Sequence, residues 1–189
     1  MKNPPSIAIA GVTGAVGQEF LELIERRRFP FGQLKLLASA RSAGKTIEFM
    51  GTTYTVEELT EESFDGVDIA LFSAGGSISK QFAPAAAARG AVVIDNSSAF
   101  RMDPNTPLVV PEVNPEAIDT HKGIIANPNC STIIMNVAVW PIHQAIGVER
   151  VVASTYQAAS GAGAAAMAEL EQQARDWVNG DDITQDIFG

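Results

Sequence analysis

Cysteine occurs once in the 189 residues, at position 130. A single thiol cannot close an intrachain disulfide, so packing and hydrogen bonds must hold the fold, in keeping with a reducing, cytoplasmic setting. Histidine is nearly as scarce, with only His121 and His143, and no metal site is expected. Basic side chains are outnumbered, 13 against 22 acidic, with a pI near 4.6. That balance leaves no face built to neutralise a phosphate backbone, and nucleic acid is a poor partner. Long apolar runs are missing too: the longest, residues 6–12 and 67–74, fall far short of the ~20 needed to cross a bilayer. The apolar run after Met1-Lys2 is broken by Pro4, Pro5 and glycines, which fits a strand and loop better than a secretory signal. There is no internal repeat and no low-complexity segment.

What is present is an alternation of short apolar runs with helical spacing. SIAIAG (residues 6–11) ends in glycine, and residues 15–28 place Val16, Phe20, Leu23 and Ile24 on one helical stripe. Residues 33–39 read as a second strand, and residues 46–56, rich in Thr, Tyr and Phe around Gly51, as a hairpin. A buried strand running into a glycine turn at 66–76, an alanine-rich helix at 78–89 and a strand at 91–95 follow. A proline-rich loop over 104–119 leads to a strand at 123–126 and a long apolar helix over 131–146. Strands alternating with helices across glycine turns predict an α/β, doubly wound parallel Rossmann sheet. Beyond residue 147 the texture changes. Residues 149–160 alternate like a strand with two faces, and residues 163–178 carry Met167, Leu170, Ala174 and Trp177 as a helical stripe. One strand and one helix cannot bury a sheet face alone. The expected organisation is therefore a nucleotide-binding domain over 1–147 and, over 148–189, the first strand and helix of a second, incomplete α+β domain. The acidic run 57–62 reads as solvated surface.

GVTGAVG (residues 11–17) places glycines where the first strand turns into the first helix. There they allow a sharp turn and close backbone approach to a pyrophosphate, whose charge the helix N-terminal amides hold. An NAD site usually has an acid at the end of the second strand, about 20 residues past the glycines. Here ASARSAGK (residues 38–45) contains none. Arg41, flanked by Ser39 and Ser42, suits a ribose 2′-phosphate instead, so NADP is expected over NAD, with a solvated loop arginine as the plain alternative.

ANPNCST (residues 126–132) sets Cys130 at the mouth of the long helix. A lone cysteine is commonly a packing residue. At a helix N-terminus, however, unpaired amides and the dipole favour a thiolate, and the carboxyl edge of a parallel sheet is where the cofactor also binds. A thiolate beside a hydride carrier suggests attack on an aldehyde, oxidation, and a thioester on the enzyme. His143 lies thirteen residues along the same helix, about 20 Å away, and His121 precedes the strand at the opposite sheet edge; neither is placed as a base. A silent dinucleotide-binding module whose cysteine merely packs, and an interaction fragment that dimerises through its second-domain pieces, remain as other readings.

GVTGAVG, ASARSAGK, SAGGS (residues 73–77), DNSSAFRM (95–102), VPEVN (110–114), NPNCST (127–132) and YQAASGAG (156–163) together resemble the aspartate-semialdehyde dehydrogenase family. A reductase of N-acetyl-glutamyl phosphate shares the nucleotide loop and an active cysteine but typically has NPGCY where this chain has NPNCS. The resemblance implies NADP-dependent, reversible reductive dephosphorylation of aspartyl phosphate to aspartate semialdehyde, on the route to lysine, threonine and methionine. It implies Cys130 as the thioester nucleophile, Gln157 at the substrate, Arg101 on phosphate, and Asn96 and Asn129 lining the same pocket. Thr13, Gly14, Ala15, Val16, Arg41, Ser42, Ser160 and Gly161 would hold NADP. Val12 stands where the family usually has alanine. The family's second domain supplies the catalytic histidine, further substrate-binding charges and most of the contact of its homodimer or homotetramer. On that comparison this chain is expected to be a truncated form that binds NADP without turning over.

Overall fold

The computed structural model describes residues 4–188. It divides into two compact units that meet at Val151/Val152, taken here one at a time. In the first unit seven strands form one sheet: β1 (Ile7–Ala10), β2 (Leu34–Ala38), β3 (Thr46–Phe49), β4 (Thr52–Glu58), β5 (Ile69–Phe72), β6 (Val92–Asp95) and β7 (Ile124–Ala126). Their spatial order is β3-β4-β2-β1-β5-β6-β7. Every pairing is parallel except that of β3 with β4. The helices are α1 (Ala15–Arg26), α2 (Gly76–Ala88) and α3 (Cys130–Ile146). The hairpin, the two crossover helices and the parallel strands expected from the sequence are all present. Residues 107–110 lie along the outer edge of β7, with Ala126 N–H donating to Pro107 O at 2.9 Å and Val109 N–H donating to Ala126 O at 3.1 Å, so the sheet edge beside the thiol is covered.

Period-two alternation sorts the core onto two faces. Ile7 and Ile9 of β1 join Leu21 and Ile24 of α1 and Leu34 and Leu36 of β2 on one side. Ala8 and Ala10 join Ala83 and Ala86 of α2 and Phe64, Phe72 and Val93 on the other. The alanines on both α2 and the strands beneath it let that helix sit close to the sheet. Phe64 and Phe72 are fully buried and stacked with ring centroids 5.5 Å apart, and they fill the space the alanines leave. The acidic run is solvated as expected: Glu57, Glu58, Glu61 and Glu62 are exposed.

The ends of the chain differ from the pattern. Helix α3 forms over its expected span, yet none of its residues is buried; Ile134, Ile142 and Ile146 stand 72%, 52% and 81% exposed. In the second unit, residues 152–158 form no strand. The alternation predicts a pleated strand, but a strand requires a neighbour for its ladder, and no other strand lies in this unit among the described residues. A 3-10 turn (Ala159–Ala162) and α4 (Ala164–Asn179) follow, and of α4 only Ala166 is buried. What organises this unit is polar. The Glu169 carboxylate accepts the backbone N–H groups of Ile187 at 2.8 Å, Phe188 at 3.0 Å and Asp186 at 3.3 Å, and the bond from Phe188, ahead of those from Ile187 and Asp186, holds its pKa below the ordinary value of 4.5.

Truncating Phe64 to alanine is expected to cost about 3–5 kcal/mol, read as a lowered urea midpoint with an unchanged slope. A carboxyl whose folded pKa is depressed stabilises above its unfolded value and loses that contribution as pH falls through the lowered one. The amide resonances of residues 186–188 should therefore hold their docked positions at neutral pH and shift together in acid below pH 4.5, in step with the Glu169 carboxyl.

Candidate active site

The nucleotide loop is built at the point where the sheet order reverses. After β1 the chain runs to β2 on one side and later to β5 on the other, and an open α/β sheet binds ligands in the crevice outside that switch point. Gly11 leaves β1 at φ +90°, and a Cβ there would stand 2.4 Å from the carbonyl oxygen of Ser73 at the end of β5. A Cβ on Gly17 would stand 2.4 Å from Gly11 O. Gly14 caps α1 without a side chain, and its N–H donates to Gly11 O at 3.0 Å. The loop is thus folded as tightly as backbone allows, while Thr13, Gly14, Ala15 and Val16 are exposed and the first turn of α1 carries no acid. Amides at a helix N-terminus, open to solvent and free of competing carboxylates, make a cradle that fits a pyrophosphate.

Past β2, Ser42 N–H and Ala43 N–H both donate to Ser39 O, at 2.8 and 3.1 Å. This tight turn leaves Arg41 and Ser39 exposed and buries Ser42 to 7% exposure. Of the two serines flanking Arg41, it is Ser39 that offers an open hydroxyl.

At the other end of the sheet, α3 starts at Cys130 directly after the β7 loop. Asn129 is its N-cap: the side-chain Oδ1 accepts Thr132 N–H at 3.2 Å, and its carbonyl accepts Ile133 N–H at 2.9 Å. Cys130 is exposed, so its thiol is not enclosed by aliphatic side chains among the described residues. Strand spacing of about 4.8 Å puts β7 about 14 Å across the sheet from β1, with β5 and β6 between, on the same carboxyl edge as the glycine loop. Arg101 braces that edge. Its Nε donates to Asn127 O at 2.9 Å and its Nη2 to Asn96 O at 3.0 Å, and Asn127 Nδ2 donates to Asn96 Oδ1 at 2.6 Å. Two of its five N–H groups tie together the loops after β6 and β7. Asn127 and the strand-end carboxylate of Asp95 were not singled out from the sequence; polar residues immediately after apolar strands were the available signal.

Neither histidine is placed as a base for this thiol. His121 Nδ1 accepts Gly123 N–H at 3.0 Å, and His143 Nδ1 accepts Val148 N–H at 3.1 Å while the ring stacks on Trp140. Both imidazoles close turns. Within the second unit, Gln157, Ser160 and Gly161 lie together around the 3-10 turn and are exposed. A Cβ on Gly161 would meet the Gln157 side-chain nitrogen, so a larger residue there must displace the glutamine.

An open parallel sheet, a glycine cradle at its switch point and a helix opened by an exposed thiol define a Rossmann-type dinucleotide-binding protein. The sequence profile of the family described as "Semialdehyde dehydrogenase, NAD binding domain" matches residues 6–121, and that described as "Semialdehyde dehydrogenase, dimerisation domain" matches residues 139–189. The chain belongs to the semialdehyde dehydrogenase family. It is 56% identical over 180 residues to the aspartate-semialdehyde dehydrogenase of Synechocystis sp., covering 95% of this chain and 53% of that protein. The crystal structure of aspartate semialdehyde dehydrogenase II from Vibrio cholerae complexed with ASA superimposes with a TM-score of 0.91 at 51% identity, over 98% of this chain and 56% of that one. The enzyme from Candida albicans, solved with NADP, gives a TM-score of 0.66 at 27% identity, over 76% and 48%. The chain thus spans about half the length of the relatives it matches.

Replacing Gly11 with alanine forces a side chain into φ > 0 against the Ser73 carbonyl and is expected to cost at least about 2 kcal/mol. Asn129→Ala removes one cap and should cost about 1 kcal/mol. Urea unfolding of the two variants checks both values.

Proposed function

We propose that this chain is the nucleotide-binding, thiol-bearing part of an aspartate-semialdehyde dehydrogenase, which interconverts L-4-aspartyl phosphate and L-aspartate 4-semialdehyde with NADP through a thioester on Cys130. The observation that carries the reading is the exposed Cys130 opening α3 on the carboxyl edge that also holds the glycine cradle. In this reading residues 1–147 are the NADP-binding domain and residues 148–189 begin a substrate-binding and dimerisation domain, in a cytoplasmic homodimer or homotetramer acting in lysine, threonine and methionine synthesis.

The amides and side chains of Thr13, Gly14, Ala15 and Val16 would hold the pyrophosphate and Arg41 with the open Ser39 hydroxyl the 2′-phosphate, Ser42 being buried; Ser160 and Gly161 are the second unit's proposed cofactor residues. When bound, the nicotinamide supplies the two-electron acceptor or donor. The chain's own residues do the rest. Cys130 Sγ forms a bond to the aldehyde carbon, and the carbonyl π pair moves onto oxygen as that bond forms. The positive end of the α3 dipole and the side-chain N–H groups of Asn129, whose Oδ1 is taken by Thr132 N–H, suit the negative charge that develops on that oxygen. Loss of hydride from the adduct carbon, which a bound nicotinamide would accept, would restore the carbonyl and leave Cys130 as a thioester. A phosphate oxygen then attacks that carbon, the C–S bond breaks, and the thiolate leaves with its electron pair, giving the acyl phosphate. Arg101 holds the attacking phosphate: it is a fork suited to an oxyanion and is already fixed at two points. Asn129 is proposed to orient the substrate, and Gln157, in the second unit, is a proposed substrate ligand. The proton-transfer base is expected from the family's second domain, since both histidines of this chain close turns.

NADP should raise the melting temperature of this chain at concentrations where NAD does not, since a ligand at 100 times its Kd adds about 2.7 kcal/mol of stability. Arg41→Ala should abolish that preference while leaving binding of the shared dinucleotide core. Equal shifts from NAD and NADP, or a preference that survives Arg41→Ala, would contradict the cofactor assignment.

A further inference from the structure

Strand β6 ends in a carboxylate that solvent does not reach. Asp95 is wholly buried. Its oxygens accept Ser79 Oγ–H at 2.7 Å, Ser97 N–H at 3.1 Å and Ser97 Oγ–H at 2.7 Å. An ionised group taken out of water is costly unless it is saturated in this way, and a well-packed apolar residue would serve stability at least as well. The partners show what the charge is used for. Ser79 lies in the opening turn of α2, and Ser97 lies in the loop that also carries Asn96 and Arg101. Ser97 Oγ extends the tie by accepting Ala99 N–H at 3.1 Å. The Asp95 carbonyl accepts Asn127 N–H at 2.8 Å. Both carbonyls that grip Arg101, those of Asn96 and Asn127, therefore sit on segments pinned by Asp95, one through its side chain and one through its main chain.

We propose that Asp95 is a positioning residue for an oxyanion site at Arg101, setting the guanidinium in the attitude that receives a phosphate. The proposal rests on the reading of Arg101 as the phosphate ligand given above. Charge and position make opposite demands here. A carboxylate near an anion site repels the anion, so if electrostatics were its main effect, removing the charge in Asp95→Asn would tighten phosphate binding. If it acts by holding the 96–101 loop, the same change weakens binding, because an amide N–H cannot accept the Ser97 hydroxyl proton and the tie to Ala99 slackens.

The single cysteine makes the test direct, since every alkylation event reports one thiol. The rate of Cys130 carboxymethylation by iodoacetate, divided by the rate with neutral iodoacetamide, reports the pull on an anion at the thiol, and its drop in Arg101→Ala is the share that Arg101 supplies. Inorganic phosphate titrated against that ratio gives the affinity of the site. The ratio and its phosphate dependence are measured in the wild type, Asp95→Asn, Asp95→Ala, Ser97→Ala and Arg101→Ala, with NADP affinity followed in parallel. The phosphate concentration that halves the ratio is expected to rise about tenfold in Asp95→Ala and Ser97→Ala, and by a smaller factor in Asp95→Asn, as loss of hydrogen bonds to a charged group implies. In Ser97→Ala, which leaves the Ser79 tie to α2 in place, NADP affinity should stay within about twofold of wild type. Should Asp95→Ala fail to fold, Asp95→Asn and Ser97→Ala carry the comparison. Unchanged or tighter phosphate binding in these two, or NADP affinity falling in parallel with it in Ser97→Ala, would overturn the positioning role while leaving the Arg101 site standing. A wild type insensitive to phosphate, or one matched by Arg101→Ala, overturns the anion site itself and the inference with it.

Discussion

The close approach of two backbones at the centre of the sheet governs the architecture. At Gly11 the main chain passes so near the Ser73 carbonyl that a Cβ would lie 2.4 Å from it. The strand end is pinned from both sides, by Gly11 N–H on Leu37 O of β2 at 2.9 Å and by Ser73 N–H on Ala10 O at 2.9 Å. With φ at +90°, only glycine follows this path without strain. That turn aims α1, leaves the amides of residues 13–16 open, and places them at the switch point of the sheet.

A second constraint acts three strands away. The last parallel strand, β7, has only three residues and would be a weak platform by itself. It is stiffened from both flanks, by residues 107–110 along its outer edge and by the Arg101 bridge to the loop after β6. The thiol of Cys130 follows that strand by four residues, so whatever fixes the end of β7 fixes the start of α3. The glycine turn and the arginine bridge together give one edge of the sheet an open, tightly folded glycine loop at one end and an exposed thiol on a braced strand end at the other.

Much of this was legible in the sequence because the responsible forces are local. Glycines at a strand–helix junction, β-branched and aromatic residues around Gly51, and an asparagine before the long helix each declare their structure within a few residues. The placement of the candidate residues was legible to the same extent: Cys130 and residues 13–16 fall where strand, loop and helix order puts them. What escaped is non-local. Asp95 meets Ser79 across 16 positions and Asn127 meets Asn96 across 31, and no periodicity encodes such meetings. The turn that buries Ser42 and exposes Ser39 depends on two bonds to one carbonyl. The predicted strand at 149–160 failed for a different reason: alternation describes two faces, but a ladder needs a second strand, and this unit has none among its described residues. The exposed apolar side chains of α3 carry the same lesson, since hydrophobicity makes a helix without saying what it packs against.

The central claim, that one carboxyl edge of the sheet receives the dinucleotide from the glycine turn toward the thiol, is tested most directly by an amide-resolved NMR titration of this chain with NADP. The account predicts chemical-shift changes concentrated at residues 11–17, 39–42 and 73–77, extending to the start of α3 at Cys130. Changes that avoid the glycine turn, or that cluster at the amino edge of the sheet around His121, would contradict it.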